Sequence, residues 1–167
     1  MSTFVTVGNA RQPFRRLLDV VAAHLALLPH PVVVQHGHTP FVAPNCRTVD
    51  FLSMQEYADH IAQARVLIMH AGAGSLIHAI EAGKRPIVMP RLERYGEHVN
   101  DHQMELASAL AQQRRVVLIA SGQELVGALR IVLSDRPDSR SRRSQEAGGR
   151  MVDLLRETLS QLARQEK

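Results

Sequence analysis

Val66-Leu67-Ile68-Met69 is apolar at every position and runs straight into His70-Ala-Gly-Ala-Gly-Ser75. A strand without polar alternation must be covered on both faces, which helices packed on a parallel sheet achieve and an open-faced antiparallel sheet does not. The glycine-rich turn that follows, and a helix ending at Gly83, complete the strand-turn-helix unit from which such sheets are built.

The rest of the chain repeats this alternation. Phe4 to Gly8 reads as a short strand, and Phe14, Leu17, Leu18, Val21, Leu25 and Leu28 recur at helical steps behind it. Pro29 and Pro31 stop that helix; Val32 to Gln35 is the next strand, and the Gly/Pro/Asn-rich stretch 37–45 is loop. Arg47 to Phe51 allows a short third strand. Ser53 and Glu56 have capping-box spacing ahead of a helix whose apolar face is Met54, Tyr57, Ala58 and Ile61. Pro86 to Met89 and Val116 to Ile119 are further strands. Between them, Val99, Gln103, Leu106, Ala107 and Leu110 mark a helix, and Ser121 with Glu124 repeats the capping box before Leu125, Leu129, Val132 and Leu133. The pattern predicts an α/β fold with a doubly wound, Rossmann-like parallel sheet over residues 1–134, an Arg/Ser/Gly-rich linker over 135–150 and an amphipathic C-terminal helix over 151–167, striped by Met151, Leu155, Leu159 and Leu162.

Composition narrows the class. With 45% hydrophobic and 22% charged residues, the 167-residue chain suits one soluble domain. Its longest apolar runs fall far short of the roughly 20 residues of a membrane span, and the start lacks the basic and apolar regions of a signal peptide. The single cysteine, Cys46, forms no internal disulfide and fits a reducing cytoplasm. The net charge of +4 lies wholly after residue 113, with five arginines in the aromatic-free stretch Arg136 to Arg150. A solvated linker or contact with an anionic membrane surface accounts for it better than nucleic acid, whose bases need stacking partners.

Ligands of open parallel sheets bind at the carboxyl ends of strands, where helix N-termini offer unpaired N–H groups and a partial positive charge. The HAGAGS turn is such a place: its glycines let a phosphate approach the backbone, and Ser75 can cap the helix or donate a hydrogen bond, so a diphosphate is a natural guest. Glycines at such turns also serve packing alone. The turn is neither GxGxxG, since position 77 is Ile, nor a Walker sequence, nor a GxSxG elbow. A second polar run, Gly96-Glu-His-Val-Asn-Asp-His-Gln103, carries the mixed donors and acceptors that sugar hydroxyls need, although Asn100 or Asp101 singly could be a helix cap. His98 and His102 have the spacing of metal ligands on one helix face, but no HExxH accompanies them, and no metal site is expected.

The run VLIMHAGAGSLIHAIEAGKRPIVMPRLERYGEHVNDHQMELASAL, with the start FVTVGNARQPFRRLLDVV, resembles the C-terminal, nucleotide-sugar-binding domain of family 28 glycosyltransferases over roughly residues 3–134. It is most similar to the small stand-alone subunits of that family, those of dolichol-linked oligosaccharide synthesis and the bacterial exopolysaccharide subunits of the PssE type. The resemblance implies one half of a GT-B architecture. It assigns Gly72, Ala73, Gly74 and Ser75, with His78, to the donor's diphosphate and ribose; Asn100, Asp101 and Gln103 to the donor sugar; and Met54 to the uracil. Many members carry glutamate where this chain has His78, and Glu81 stands one turn further on.

The implied function is the catalytic, donor-binding subunit of a two-subunit inverting glycosyltransferase that takes a UDP-sugar, needs no cofactor or metal, and is recruited to the inner face of the membrane by a membrane-associated partner holding a lipid-linked saccharide acceptor. The general base is expected on the partner; Asn9, at the same edge, is not a base. The alternatives are a non-catalytic nucleotide-sugar-binding regulatory module and an epimerase of the same superfamily, which would require a second domain.

Overall fold

The structure, a computed structural model, describes residues 2–135. Six strands, β1 Thr3–Thr6, β2 Val32–Gln35, β3 Arg47–Val49, β4 Val66–Met69, β5 Ile87–Val88 and β6 Val117–Leu118, form one parallel sheet in the order β3-β2-β1-β4-β5-β6. The helices are α1 Arg15–His24, α2 Met54–Gln63, α3 Ala73–Glu81, α4 His102–Gln112 and α5 Gly122–Ser134. The doubly wound α/β fold expected from the alternation is present. The proposed linker and C-terminal stripe lie outside the described residues.

The sheet is buried on both faces. Val5, Val34, Val66, Ile68 and Ile87 enter one core with Leu17, Leu18 and Val21 of α1 and Leu125 and Leu129 of α5. Phe4, Leu67, Met69 and Val88 enter the other with Ile61, Leu76, Leu106 and Leu110 of α2 to α4. The period of two along each strand therefore sorts side chains between two helical layers, which explains why β4 shows no polar alternation. Each large aliphatic side chain so buried contributes about 1.5–3 kcal/mol.

Several elements end where their chemistry dictates. Ser53 and Glu56 form the reciprocal capping box at the start of α2. α3 ends in a Schellman motif: Gly83 is left-handed at φ 71°, its N–H bonds the Ile80 carbonyl, and the Lys84 N–H bonds that of Ala79. The second expected capping box does not form. Ser121 makes no side-chain cap, and the Glu124 carboxylate instead accepts the N–H of Ala120. Four apolar assignments also change. Val99 is 70% exposed because α4 starts only at His102; Leu133 faces outward on α5; and of the expected α2 face, Ala58 and Met54 are exposed while Ile61 is buried.

Arg65 closes the fold at the amino edge of the sheet. Its N–H bonds the Ser2 carbonyl at 2.8 Å, while its guanidinium bonds the carbonyls of Leu133 and Asp135 at 2.7 and 3.0 Å. Among the described residues no helix is long and apolar enough to cross a membrane.

Candidate functional site

The direction of chain winding reverses between β1 and β4: β1 leads through α1 to β2 on one side, and α2 returns the chain to β4 on the other. In open α/β sheets the crevice at such a reversal is where ligands bind. Here it is bounded by Gly8 after β1 and by the His70–Ser75 turn after β4. Gly8, at φ 75°, donates its N–H to Thr6 Oγ1 at 3.1 Å, and the Gln35 side chain donates to the Gly8 carbonyl, so β1 and β2 hold the turn firmly.

The two glycines of the HAGAGS turn serve different ends. Gly72 is the N-cap of α3, and a Cβ there would lie 2.2 Å from His70 Nε2; one on Gly8 would lie 2.6 Å from the same ring. Both glycines make room for the His70 imidazole. Gly74 has nothing within 4 Å of its would-be Cβ. No side chain caps α3, and its first intrahelical bond is donated by Leu76, to Gly72, so the N–H groups at Ala73, Gly74 and Ser75 have no intrahelical acceptor, Gly74 is exposed among them, and the positive end of the helix dipole lies behind. Ser75 lies inside the first turn and does not cap.

His70 is buried, with no partner for Nδ1. Burial first, and the Arg91 cation second, hold its pKa down to about 4. Tyr57 of α2 packs edge-on against Phe4 and lies 6.2 Å from the His78 ring. Its hydroxyl is buried without a well-formed hydrogen bond; burial raises its pKa, against the pull of the Ser75 and Thr6 hydroxyls. His78 thus faces α2, the helix whose first residue is Met54, 68% exposed at the same edge. Glu81, the suggested substitute at the ribose, is exposed at the far end of α3.

The opposite wall comes from the segment between β5 and α4. Gln103 is buried there, and its Oε1 accepts both the Ala71 N–H, at 3.2 Å, and the Arg91 N–H, at 3.1 Å. The amide oxygen is spoken for, so the NH2 group is the end Gln103 can offer a ligand. Asp101, the N-cap of α4, accepts the Glu93 N–H at 2.8 Å, and Asn100 accepts from the His102 N–H at 3.3 Å with its Oδ1 3.1 Å from His98 Nδ1. The structure therefore joins Gln103 directly to the HAGAGS turn, with Asp101 and Asn100 at the more exposed rim. His98 and His102 do not share a helix face, because His98 precedes α4. Among the described residues no group of three or more His, Cys, Asp or Glu side chains could hold a metal ion.

Two arginines fix this wall, and sequence patterning did not single them out. Glu97, buried, takes Arg16 of α1 through both carboxylate oxygens at 3.1 and 2.8 Å and caps the Leu92 N–H. Arg91 is fully buried and bonds main-chain carbonyls on both sides of the crevice. An arginine in a polar loop has no periodicity to betray its burial, and only the fold shows it.

The model of the glycosyltransferase family 28 C-terminal domain matches residues 2–157. The chain belongs to glycosyltransferase family 28. Among curated proteins it is 27% identical over 149 residues to the UDP-N-acetylglucosamine transferase subunit ALG13 of Yarrowia lipolytica, covering 81% of this chain and 73% of that one. To the mouse protein of the same name it is 35% identical over 121 residues, covering 66% of this chain and 10% of the relative. Among solved structures, the glycotransferase of kitacinnamycin superposes with a TM-score of 0.67 at 19% identity, covering 94% of this chain and 43% of that one. MurG from Acinetobacter baumannii gives 0.56 at 20% identity, covering 93% and 49%. The family 28 domain thus spans less than half of these solved enzymes, and at such identities they speak for the fold, the Rossmann-like half of a GT-B architecture.

Proposed function

We propose that this family 28 domain is the catalytic, donor-binding subunit of a two-subunit inverting glycosyltransferase that transfers a sugar from a UDP-sugar to a lipid-linked acceptor. The observation that carries this reading is the uncapped N-terminus of α3 at the β1/β4 reversal, open over Gly74. The name of the ALG13 relatives, a UDP-N-acetylglucosamine transferase subunit, supports both the nucleotide sugar and a partner. The diphosphate sits on residues 72–75 with the ribose toward His78, the uracil lies by Met54, and the sugar hydroxyls meet Asn100, Asp101 and the NH2 of Gln103.

In the reaction the acceptor hydroxyl attacks the anomeric carbon from the face opposite UDP. The bond from that carbon to the β-phosphate oxygen breaks, and its electron pair leaves with UDP. The α3 N–H groups stabilise that charge as it develops, so no divalent metal is required at this step. The acceptor's proton passes to a base on the partner, a membrane-associated subunit that brings acceptor and chain together at the inner face of the membrane.

Calorimetry with UDP, with and without EDTA, tests the donor site: binding is expected in both, and loss on chelation overturns metal independence. Assaying sugar transfer by the chain alone and with the protein encoded beside it tests the subunit role. Transfer is expected only with the partner. UDP binding without transfer in the reconstituted pair favours a regulatory module instead.

A further inference from the structure

Of the two arginines beneath the β5–α4 segment, only Arg16 is paired with a carboxylate. Arg91 is 0% exposed, donates from Nη1 to the carbonyls of Gln12 and Glu97 at 2.7 and 3.0 Å and from Nη2 to that of Val7 at 2.8 Å, and lies 4.7 Å from the centre of the Phe14 ring. Its Nε has no partner, and desolvation pulls its pKa down to about 10 against the opposing pull of the nearby Glu97 carboxylate, which is itself held by Arg16. Burying a cation with no carboxylate in direct contact is costly, and a hydrophobic side chain of the same length would fill the space more cheaply. What a hydrocarbon cannot do is bond three carbonyls of separate segments at once, as the guanidinium fork does.

Those segments are the walls of the candidate site. Val7 lies between the end of β1 and Gly8, Gln12 lies further along the β1–α1 loop, and Glu97 lies in the β5–α4 loop. The Arg91 main-chain N–H meets Gln103 Oε1, which also holds Ala71 at the entrance to the HAGAGS turn. We infer that Arg91 is a positioning residue that locks the β1–α1 and β5–α4 loops into one rigid frame around the α3 N-terminus, presetting the seat of the donor's diphosphate. The inference rests on the donor-site reading above. It is the fork that matters: a point charge in its place cannot span the same carbonyls.

The test compares Arg91→Lys and Arg91→Met with wild-type protein by thermal melting and by calorimetry with UDP and with UMP, which lacks the outer phosphate. Both variants are expected to melt lower, to bind UDP at least tenfold more weakly, and to bind UMP within threefold of wild type, with lysine giving no rescue. Variants that melt lower yet keep wild-type UDP affinity overturn the inference and leave the donor site standing. Recovery of UDP affinity in Arg91→Lys overturns the role of the fork. Wild-type protein that ignores UDP overturns the donor-site reading and this inference with it. If neither variant folds, amide exchange in wild-type protein decides: residues 8–12 and 93–98 must open as one unit, and independent opening overturns the lock.

Discussion

The imidazole of His70 occupies the space that a side chain on Gly72 would need, with Nε2 only 2.2 Å from the would-be Cβ. Gly72→Ala must therefore push a buried ring against Gly8, and it is expected to lower the melting temperature by several degrees and to weaken UDP binding. Gly74 has open space, so Gly74→Ala should melt like wild type. Gly74→Asp places a carboxylate in the first turn of α3, which the helix tolerates and a phosphate does not. Melting curves paired with UDP calorimetry separate the three. Equal UDP binding by Gly74→Asp would move the phosphate elsewhere.

His70 also gives the protein an acid-sensitive step. It stays neutral in the fold down to about pH 4, whereas an unfolded chain protonates it near 6.5. Between these values the unfolded state binds more protons, so this contribution to stability is intact above pH 6.5, declines as pH falls through the window and is gone near pH 4. The full loss is on the order of 3 kcal/mol. Denaturant melts at pH 7, 5.5 and 4.5 should show the decline, and His70→Gln should show a shallower one.

Gln103 separates structure from recognition by the choice of substitution. Alanine strands the Ala71 and Arg91 N–H groups, each at a cost of about 1–3 kcal/mol, and should destabilise the domain. Glutamate keeps an acceptor for both but removes the NH2 group and adds charge. Gln103→Glu is expected to fold, to keep most UDP affinity and to lose at least tenfold in transfer with the partner present, measured as turnover of labelled UDP-sugar. Asp101→Ala at the rim should lower transfer with little change in UDP affinity.

Met54 follows immediately on the Ser53 cap. Ser53→Ala removes one side of the capping box, costing about 0.5–2 kcal/mol, and loosens the turn that carries Met54. The expected result is a modest fall in melting temperature together with weaker binding of uridine. A fall in stability with uridine binding unchanged would place the base away from α2.

Much of this fold was legible because burial leaves a periodic trace. The all-apolar β4, the stripe of α1, the Ser53–Glu56 box and the glycine after α3 all reflect local rules that the fold obeys. Readings failed where a competing contact outbid the expected one. Glu124 took the Ala120 N–H and not the Ser121 box, and Val99 sits in a loop pinned by Asp101 at Glu93, so its apolar character carries no helical meaning. Half of the site was visible for a similar reason. Glycines at a strand-to-helix turn announce an exposed backbone, whereas the division of labour between Gly72 and Gly74 depends on where the His70 ring comes to rest. The Gln103 bridge and the Arg91 fork join residues far apart in sequence through main-chain groups, which leave no residue pattern to read.

The meeting of Ser2, Leu133 and Asp135 on Arg65 places the first and last described residues side by side, at the pole of the sheet away from the candidate site. A circular permutant that keeps the whole chain, with residues 136–167 joined back to the start and new termini cut into the loop around Val42, which is 93% exposed, should therefore be tolerated. For binding measurements the same geometry means that the domain can be tethered to a surface through Ser2 with its ligand edge turned toward solution.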